Sequence, residues 1–361
     1  MTGETKKIVI ISPGLGMGGV ERASINLANF LSDTGHDVTF ISIFRHSHFF
    51  EAGKNIKVIE PHNFNTKSLS FFKTLLFLRK QIHYSKPDTI LSFTRIYSAF
   101  ALLAVSFTGY KVYITERSSP LYKWPLKINL LYRIAFFIKK PAGIIAQTKI
   151  AAEYQARRIG NKVLIKVIPN PLRNVKLFPH VERKRHILAV GRFNDSSKGF
   201  DRLIEAYSIS GLNDWKLIFA GDNMNDSSIK QLAVKKGIID NVVFLGAIRD
   251  IDPVFAEAGM FVIPSRSEGF PNALCEAMAA GLPSIAFDFV AGPRDIIMNS
   301  SEGIIVKDGD ITGLANAIIQ LAGNQSDRIR IGNNAMIVRE RFNINKVCQL
   351  YFEFITSHIR N

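Results

Sequence analysis

The sequence predicts two doubly wound α/β domains in tandem, each a parallel sheet with helices on both faces. Three observations lead there. The chain has 361 residues, beyond the roughly 250–300 at which single cores stop growing, so two domains of ordinary size are expected. Short apolar runs alternate with helical patterns along its length, and strands that are apolar throughout belong to sheets buried on both faces. Its composition, 47% hydrophobic and 21% charged, is that of a globular protein, with no low-complexity tract and no internal repeat.

The first half opens with a strand at residues 8–12, then a helix at 19–34, a strand at 37–44, a helix at about 69–85, a strand at 89–93, a helix at 98–107 and a strand at 111–115. Gly143-Ile144-Ile145-Ala146 and residues 163–168 add two strands before Pro169-Asn170-Pro171 closes the half. Such βαβ repetition builds a parallel sheet. A second series follows: strand 187–190, helix 200–210, strand 215–220, helix 228–236, strand 242–245, helix 253–258, strand 260–264, helix 272–280 and strand 284–287. The tail, 343–359, reads as an amphipathic helix able to return to the first domain. The expected domains are therefore 1–170 and 171–342, with a C-terminal helix within 343–361. Ligands of such sheets bind in a cleft at the carboxyl ends of the strands.

Charge divides the halves. Of the net +16, residues 1–170 hold 24 Lys/Arg against 9 Asp/Glu, and residues 171–361 hold 22 against 21. The two cysteines, Cys275 and Cys348, allow neither a disulfide framework nor a cysteine metal cluster, which suits a reducing compartment. The apolar run Ile8-Val9-Ile10-Ile11 is too short for the core of a signal peptide, and no charge-free stretch reaches the ~18 residues of a membrane span. A cytoplasmic protein with only peripheral membrane contact is expected.

The richest segment runs Pro264-Ser265-Arg266-Ser267-Glu268-Gly269-Phe270-Pro271-Asn272-Ala273-Leu274-Cys275-Glu276-Ala277-Met278-Ala279-Ala280-Gly281. It reads as strand, glycine turn and helix. Glu268 stands before the helix, where unpaired backbone N–H groups suit a phosphate or sugar phosphate. Glu276, inside the helix, is placed to take the hydroxyl pair of a ribose. Read alone, the pair is equally a cap acid and a solvated helix residue.

The wider segment, with Glu268 and Glu276 separated by seven residues, resembles the signature of glycosyltransferase family 4, retaining enzymes of the GT-B fold, in which two Rossmann-like domains face a central cleft. The resemblance extends over nearly the whole chain. It implies that Glu268 contacts the donor sugar near the reacting centre, that Glu276 holds the ribose, and that the backbone of Gly269, Phe270, Pro271, Asn272 and Ala273 cradles sugar and phosphate.

Gly191-Arg192-Phe193-Asn194-Asp195-Ser196-Ser197-Lys198-Gly199 joins a strand to a helix. Two fixed cations suit a diphosphate leaving group, whose charge grows as the glycosidic bond breaks, and the resemblance assigns Arg192 and Lys198 to that task. No metal is then expected, and the nucleotide sugar is a co-substrate rather than a cofactor. Asp250-Ile251-Asp252 and Asp308-Gly309-Asp310 match the Asp-x-Asp pattern of metal-using transferases, but each precedes a helical run and reads as N-caps.

Gly14-Leu15-Gly16-Met17-Gly18-Gly19 fits the dinucleotide fingerprint. A nicotinamide enzyme would want an acid at the end of the second strand. That strand ends Ile43-Phe44-Arg45-His46, which argues against NAD and leaves NADP open at Arg45. The resemblance makes Gly18 and Gly19 a loop that approaches the donor phosphate. In Thr115-Glu116-Arg117-Ser118-Ser119-Pro120, Arg117 stands where many relatives carry a histidine. A guanidinium there accepts no proton; it is either a surface group or one that steadies a phosphate or the acceptor.

Residues 71–80 and 122–140 interleave aromatic residues with cations. Helices of that kind lie on anionic bilayers, although helices of a doubly wound sheet are apolar on one side in any case. No nucleic-acid motif accompanies the charge. The expected function is retaining transfer of a hexose or N-acetylhexosamine from a nucleotide diphosphate sugar, of the uridine type by resemblance, to a membrane-presented acceptor such as a polyprenyl-diphosphate-linked glycan in surface polysaccharide synthesis. Two rivals are a GT-B sugar-nucleotide epimerase or hydrolase, which wants further acids or histidines, and a non-catalytic membrane scaffold, which would have lost part of the set Arg192, Lys198, Glu268 and Glu276.

Overall fold

The computed structural model describes residues 4–16, 18–45, 48–61, 70–222 and 228–357. Met17 and His46, the predicted helix start at Leu69 and the predicted helix end at Ile359 lie outside the described residues. The chain divides into two units, Met1–Pro171 with Ile344–Asn361, and Leu172–Asn343.

The first unit contains β1 (Lys7–Ser12), α1 (Gly19–Asp33), β2 (Asp37–Ser42), β3 (Lys57–Ile59), α2 (Phe71–Ser85), β4 (Thr89–Phe93), α3 (Arg95–Ala104), β5 (Val112–Glu116), α4 (Leu126–Ile138), β6 (Gly143–Ala146), α5 (Lys149–Ile159) and β7 (Ile165–Val167). Its strands lie in the order β3-β2-β1-β4-β5-β6-β7, and the pairings are parallel. Strand β1 shows why apolar runs form such a sheet. Ile8 and Ile10 point into one core, Val9 and Ile11 into the other, so every position must be apolar.

The second unit holds β8 (His186–Val190), α6 (Phe200–Ser210), β9 (Lys216–Ala220), α7 (Ser228–Lys235), β10 (Val242–Phe244), α8 (Asp252–Glu257), β11 (Met260–Ile263), α9 (Asn272–Ala279), β12 (Ser284–Phe287), α10 (Pro293–Ile296), β13 (Ile304–Val306), α11 (Ile311–Gly323), α12 (Gln325–Ala335) and α13 (Val338–Arg341). Its sheet order is β10-β9-β8-β11-β12-β13. Chain order reverses between β8 and β11, the kind of switch point where open parallel sheets leave room for a ligand.

The last helix, α14 (Ile344–Ile355), belongs to the first unit. Val347, Cys348, Tyr351, Phe354 and Ile355 join Ile8, Ile10 and Phe93 in one core. Each large apolar side chain so buried contributes roughly 1.5–3 kcal/mol, so this helix is integral to the sheet it covers. Burial pushes the Cys348 thiol up to about 12, and Cys275 is likewise raised by burial. Both are core groups rather than nucleophiles.

Candidate functional site

Parallel pairing decides which loops meet. Strand β8 lies beside β11, with Ile187 opposite Met260 and Leu188 opposite Phe261. Both run the same way, so the loop after β8, carrying Arg192 and Lys198, emerges next to the loop after β11, carrying Glu268. Lys198 Nζ donates to Glu268 Oε1 at 2.7 Å, and Ser265 Oγ donates to the same oxygen at 2.9 Å. Two sequence-predicted residues 70 positions apart thus form one ion pair.

The loop after β8 is built to hold Lys198. Gly199 has φ +66, and a Cβ there would overlap the Pro264 carbonyl oxygen, so only glycine lets the two loops close. Asp195 accepts from the Ser197 N–H at 3.1 Å and the Ser197 hydroxyl at 2.5 Å, and Arg192 Nη2 reaches its other oxygen at 3.0 Å. Burial opposes ionisation of Asp195, but the Ser197 hydroxyl and the Lys198 charge outweigh it and hold the carboxyl below its ordinary value. Across the gap, the Arg266 N–H donates to the Ser197 carbonyl at 2.7 Å while its guanidinium grips Asp201. Arg192 is exposed, and its partner Asp195 is an acid of its own loop.

Glu276 lies in the second turn of α9 and is 6% exposed. It is no solvated helix residue. Arg173 Nε donates to Glu276 Oε2 at 2.8 Å, and Arg173 Nη2 donates to Asp252 Oδ1 at 2.5 Å. Asp252 corrects a second expectation. It is the first residue of α8 rather than its cap, is 2% exposed, and accepts the Lys176 N–H at 2.8 Å besides Arg173. Asp310 does cap α11, accepting from the Gly313 N–H at 2.8 Å, while Asp308 pairs with Arg202 and Asp250 with Lys176. These four acids are engaged by protein groups.

Of the turn expected to cradle a donor, Phe270 and Pro271 are buried, whereas Gly269, Asn272 and Ala273 are partly exposed. Phe270 meets the edge of Phe342 with ring centroids 5.7 Å apart. Gly292, at φ +138, leaves no room for a Cβ against Pro271. Packing therefore fixes the start of α9.

The remaining predicted residues belong to the first unit. Gly18 is the N-cap of α1, and the Glu21 side chain fills the place where a Cβ would stand. At Gly18, where a side-chain-free approach was expected, the Glu21 carboxylate stands. Arg117 is not a surface arginine. It is 8% exposed, lies over the Phe93 ring with 4.8 Å to the centroid, and donates to Asn170 Oδ1 at 2.5 Å and Tyr351 Oη at 3.1 Å. Arg117, the acceptor-side candidate of the sequence reading, is thus buried among Phe93, Asn170 and Tyr351.

Another feature of this unit is its charge. Residues 61–152 carry 14 Lys/Arg and only two acids, Asp88 and Glu116. Glu116 is spent internally, taking Arg95 Nη2 at 2.8 Å and Gln155 Nε2 at 3.1 Å. On α4 only Tyr132 and Ala135 are buried. Leu126, Leu130, Ile134 and Phe137 share a helix face and stand exposed, Leu126 at 83% and Phe137 at 89%. Phe72, Leu76 and Tyr84 of α2 are exposed too. No helix among the described residues is long and apolar enough to cross a membrane.

Sequence logic singled out Arg192, Lys198, Glu268 and Glu276 as candidates but not the groups that hold them. Ser265 and Arg266 sat unremarked inside the quoted segment. Arg173 carried no local signal, because its partners come from α8 and α9.

Comparison with known proteins fits this geometry. A family model described as Glycosyltransferase Family 4 matches residues 17–173, and one described as Glycosyl transferases group 1 matches residues 174–337. An uncharacterized glycosyltransferase of Haemophilus influenzae is 26% identical over 358 residues, 95% of this chain and 98% of its own. A Campylobacter jejuni enzyme, GalNAc-alpha-(1->4)-GalNAc-alpha-(1->3)-diNAcBac-PP-undecaprenol alpha-1,4-N-acetyl-D-galactosaminyltransferase, is 25% identical over 363 residues, 97% of this chain and 98% of its own. HepE of Anabaena, solved in complex with UDP, shares the fold at a TM-score of 0.80 and 18% identity, over 97% of this chain and 100% of that one.

Proposed function

The chain belongs to the family 4 glycosyltransferases of GT-B fold, and on that premise we propose that it transfers a hexose or N-acetylhexosamine, with retention, from a uridine diphosphate sugar to a lipid-linked glycan of bacterial surface polysaccharide synthesis. The observation that carries the donor side is the Lys198–Glu268 pair at 2.7 Å, set at the switch point of the second unit's sheet.

In this reading the donor diphosphate takes Lys198, with Arg192 beside it, and Glu268 turns to the sugar hydroxyls. As the bond to the diphosphate breaks, the negative charge that grows on the leaving group is met by these two cations. The acceptor hydroxyl attacks the same face of the oxocarbenium-like sugar. Glu276 takes the ribose hydroxyls. The cations do the work assigned elsewhere to a metal, so the transfer is read as metal-independent. Support for uridine comes from the Anabaena protein of like fold that was solved with UDP, and support for a polyprenyl-linked acceptor from the Campylobacter relative.

The acceptor's location follows from the first unit. Residues 61–152 carry 14 Lys/Arg to two acids; with Arg95 and Arg117 buried the excess of cations still stands, and together with the exposed apolar face on α4 it suits an anionic bilayer, where each Lys or Arg near the headgroups contributes about 1 kcal/mol. The protein is read as peripheral on the inner face of the cytoplasmic membrane, where polyprenyl-linked glycans are built.

Thermal shift with a panel of nucleotide sugars, EDTA present throughout, tests the donor half. Stabilisation by one uridine diphosphate sugar, absent in Lys198→Ala and Glu276→Ala, is expected. No stabilisation by any donor, with the variants matching wild type, would sink it and favour a non-catalytic scaffold. Flotation with vesicles tests the other half. Binding to phosphatidylglycerol-rich vesicles and not to phosphatidylcholine is expected, and equal binding to both would remove the charge argument.

A further inference from the structure

We infer that Arg173 is a positioning residue for nucleotide recognition, holding Glu276 in the pose that meets the ribose 2′- and 3′-hydroxyls. This rests on the reading of Glu276 as the ribose contact. Arg173 stands two residues after the first unit ends, outside both the carboxylate segment and the cation loop. The geometry nevertheless ties it to one of the four functional side chains.

A carboxylate that receives a vicinal diol must present its lone pairs in one orientation, and a glutamate side chain has three torsions to fix. In this chain the fixing is done by a cation. Arg173 Nε donates to Glu276 Oε2 at 2.8 Å, one contact on a carboxylate that has about four acceptor sites. Arg173 is itself held by Asp252 through Nη2 at 2.5 Å. The guanidinium donates to two carboxylates from different helices, a rigid fork that a lysine ammonium on a flexible stem does not offer.

The loop that carries Arg173 is clamped on both sides. Asp252 Oδ2 accepts the Lys176 N–H at 2.8 Å, and Arg339 Nη2 donates to the Val175 carbonyl at 2.7 Å while its Nε donates to the Ala279 carbonyl at 2.6 Å. Arg339 thereby fastens the loop to the C-terminal end of α9, the helix that bears Glu276. Asp252, at 2% exposure, is thus the anchor of a chain that runs Asp252 to Arg173 to Glu276. Its place in an Asp-x-Asp triplet has this structural use.

The test separates positioning from mere stability by asking for a sugar-specific effect. UDP and 2′-deoxy-UDP are titrated by calorimetry into the full chain and into Arg173→Lys and Asp252→Asn, with the ligand-free melting temperature of each recorded. Wild type is expected to prefer UDP by about tenfold or more, the worth of a hydrogen bond to a charged group. In both variants the preference is expected to fall toward unity while UDP still binds through its diphosphate. A structural role alone would weaken both ligands in proportion and keep the ratio. Variants that retain the wild-type ratio overturn the inference. A wild type that binds both ligands equally overturns it by a different route, because the assignment of Glu276 to the ribose then fails first.

Discussion

Lys198 Nζ and Glu268 Oε1 lie 2.7 Å apart although 70 positions separate them, because their loops leave adjacent parallel strands at the same end. In the reading above, both act on one departing group. Lys198→Ala is expected to lower kcat/KM by about 10²–10³, the cost of losing one transition-state contact. Glu268→Gln should act mainly on kcat. The double variant is expected to be little worse than the worse single one, since residues acting as a unit are not additive. Nucleoside diphosphate release measured for all four proteins checks this, and multiplicative losses would show two independent roles.

Gly199 and Gly211 have similar positive φ, +66 and +64, but different surroundings: a Cβ on Gly199 would strike the Pro264 carbonyl, whereas nothing lies within 4 Å of one on Gly211. Alanine at either pays about 1–2 kcal/mol for the left-handed backbone. Only at position 199 must the backbone also move. Gly199→Ala is therefore expected to be the more destabilising in urea unfolding and to lose nucleotide-sugar binding, with Gly211→Ala close to wild type in binding. Equal losses of stability would mean that the close approach contributes nothing.

How much of this was legible in the sequence follows from how far each signal reaches. Strands buried on both faces announce themselves as apolar runs, and β4, β12 and α6 were placed to the residue. The three-residue edge strands β3 and β13 are too short to show a period. Helix α5 buries only Ala151 and Gln155 and has no apolar stripe to read. Helix α3 begins three residues early, at Arg95, because Thr94 takes φ +68 and turns the chain sooner than its apolar pattern suggests. Arg192, Lys198, Glu268 and Glu276 were legible because each sits in a contiguous motif. Arg173, Asp252 and the burial of Arg117 were not, since each depends on partners brought from other elements by the fold.

Arg117 has Tyr351 and Asn170 as partners and Phe93 beneath it, and burial lowers its pKa. Tyr351→Phe removes the hydroxyl that accepts from Nη2 and leaves a buried charged donor short of a partner. Such a deletion costs about 1–3 kcal/mol. The expected result is a loss of that order in denaturant unfolding, with nucleotide affinity unchanged because Lys198, Glu268 and Glu276 lie in the other unit. A loss of acceptor turnover at unchanged stability would instead restore Arg117 to the acceptor side.

The carboxyls held below their ordinary range predict where acid acts. In the second unit, burial opposes ionisation of Asp252, but the hydrogen bonds from Arg173 and the Lys176 N–H win. Glu302 is lowered in the same way by Arg341, against its burial. Asp201 is lowered first by its bond to Arg266, although exposure to solvent weakens that pair. A carboxyl with a depressed folded value stabilises fully above its unfolded value of about 4. That contribution declines as pH falls below it, and is gone once pH passes the folded value. The second unit should therefore lose stability as pH falls below about 4, read by hydrogen exchange of its strands β8 and β11. Asp252→Asn is expected to start less stable at pH 7 and to lose less on acidification, because one proton fewer is taken up on unfolding. If its curve runs parallel to wild type instead, the Arg173–Asp252 bond does not carry the acid sensitivity and the weight passes to Glu302 and Arg341.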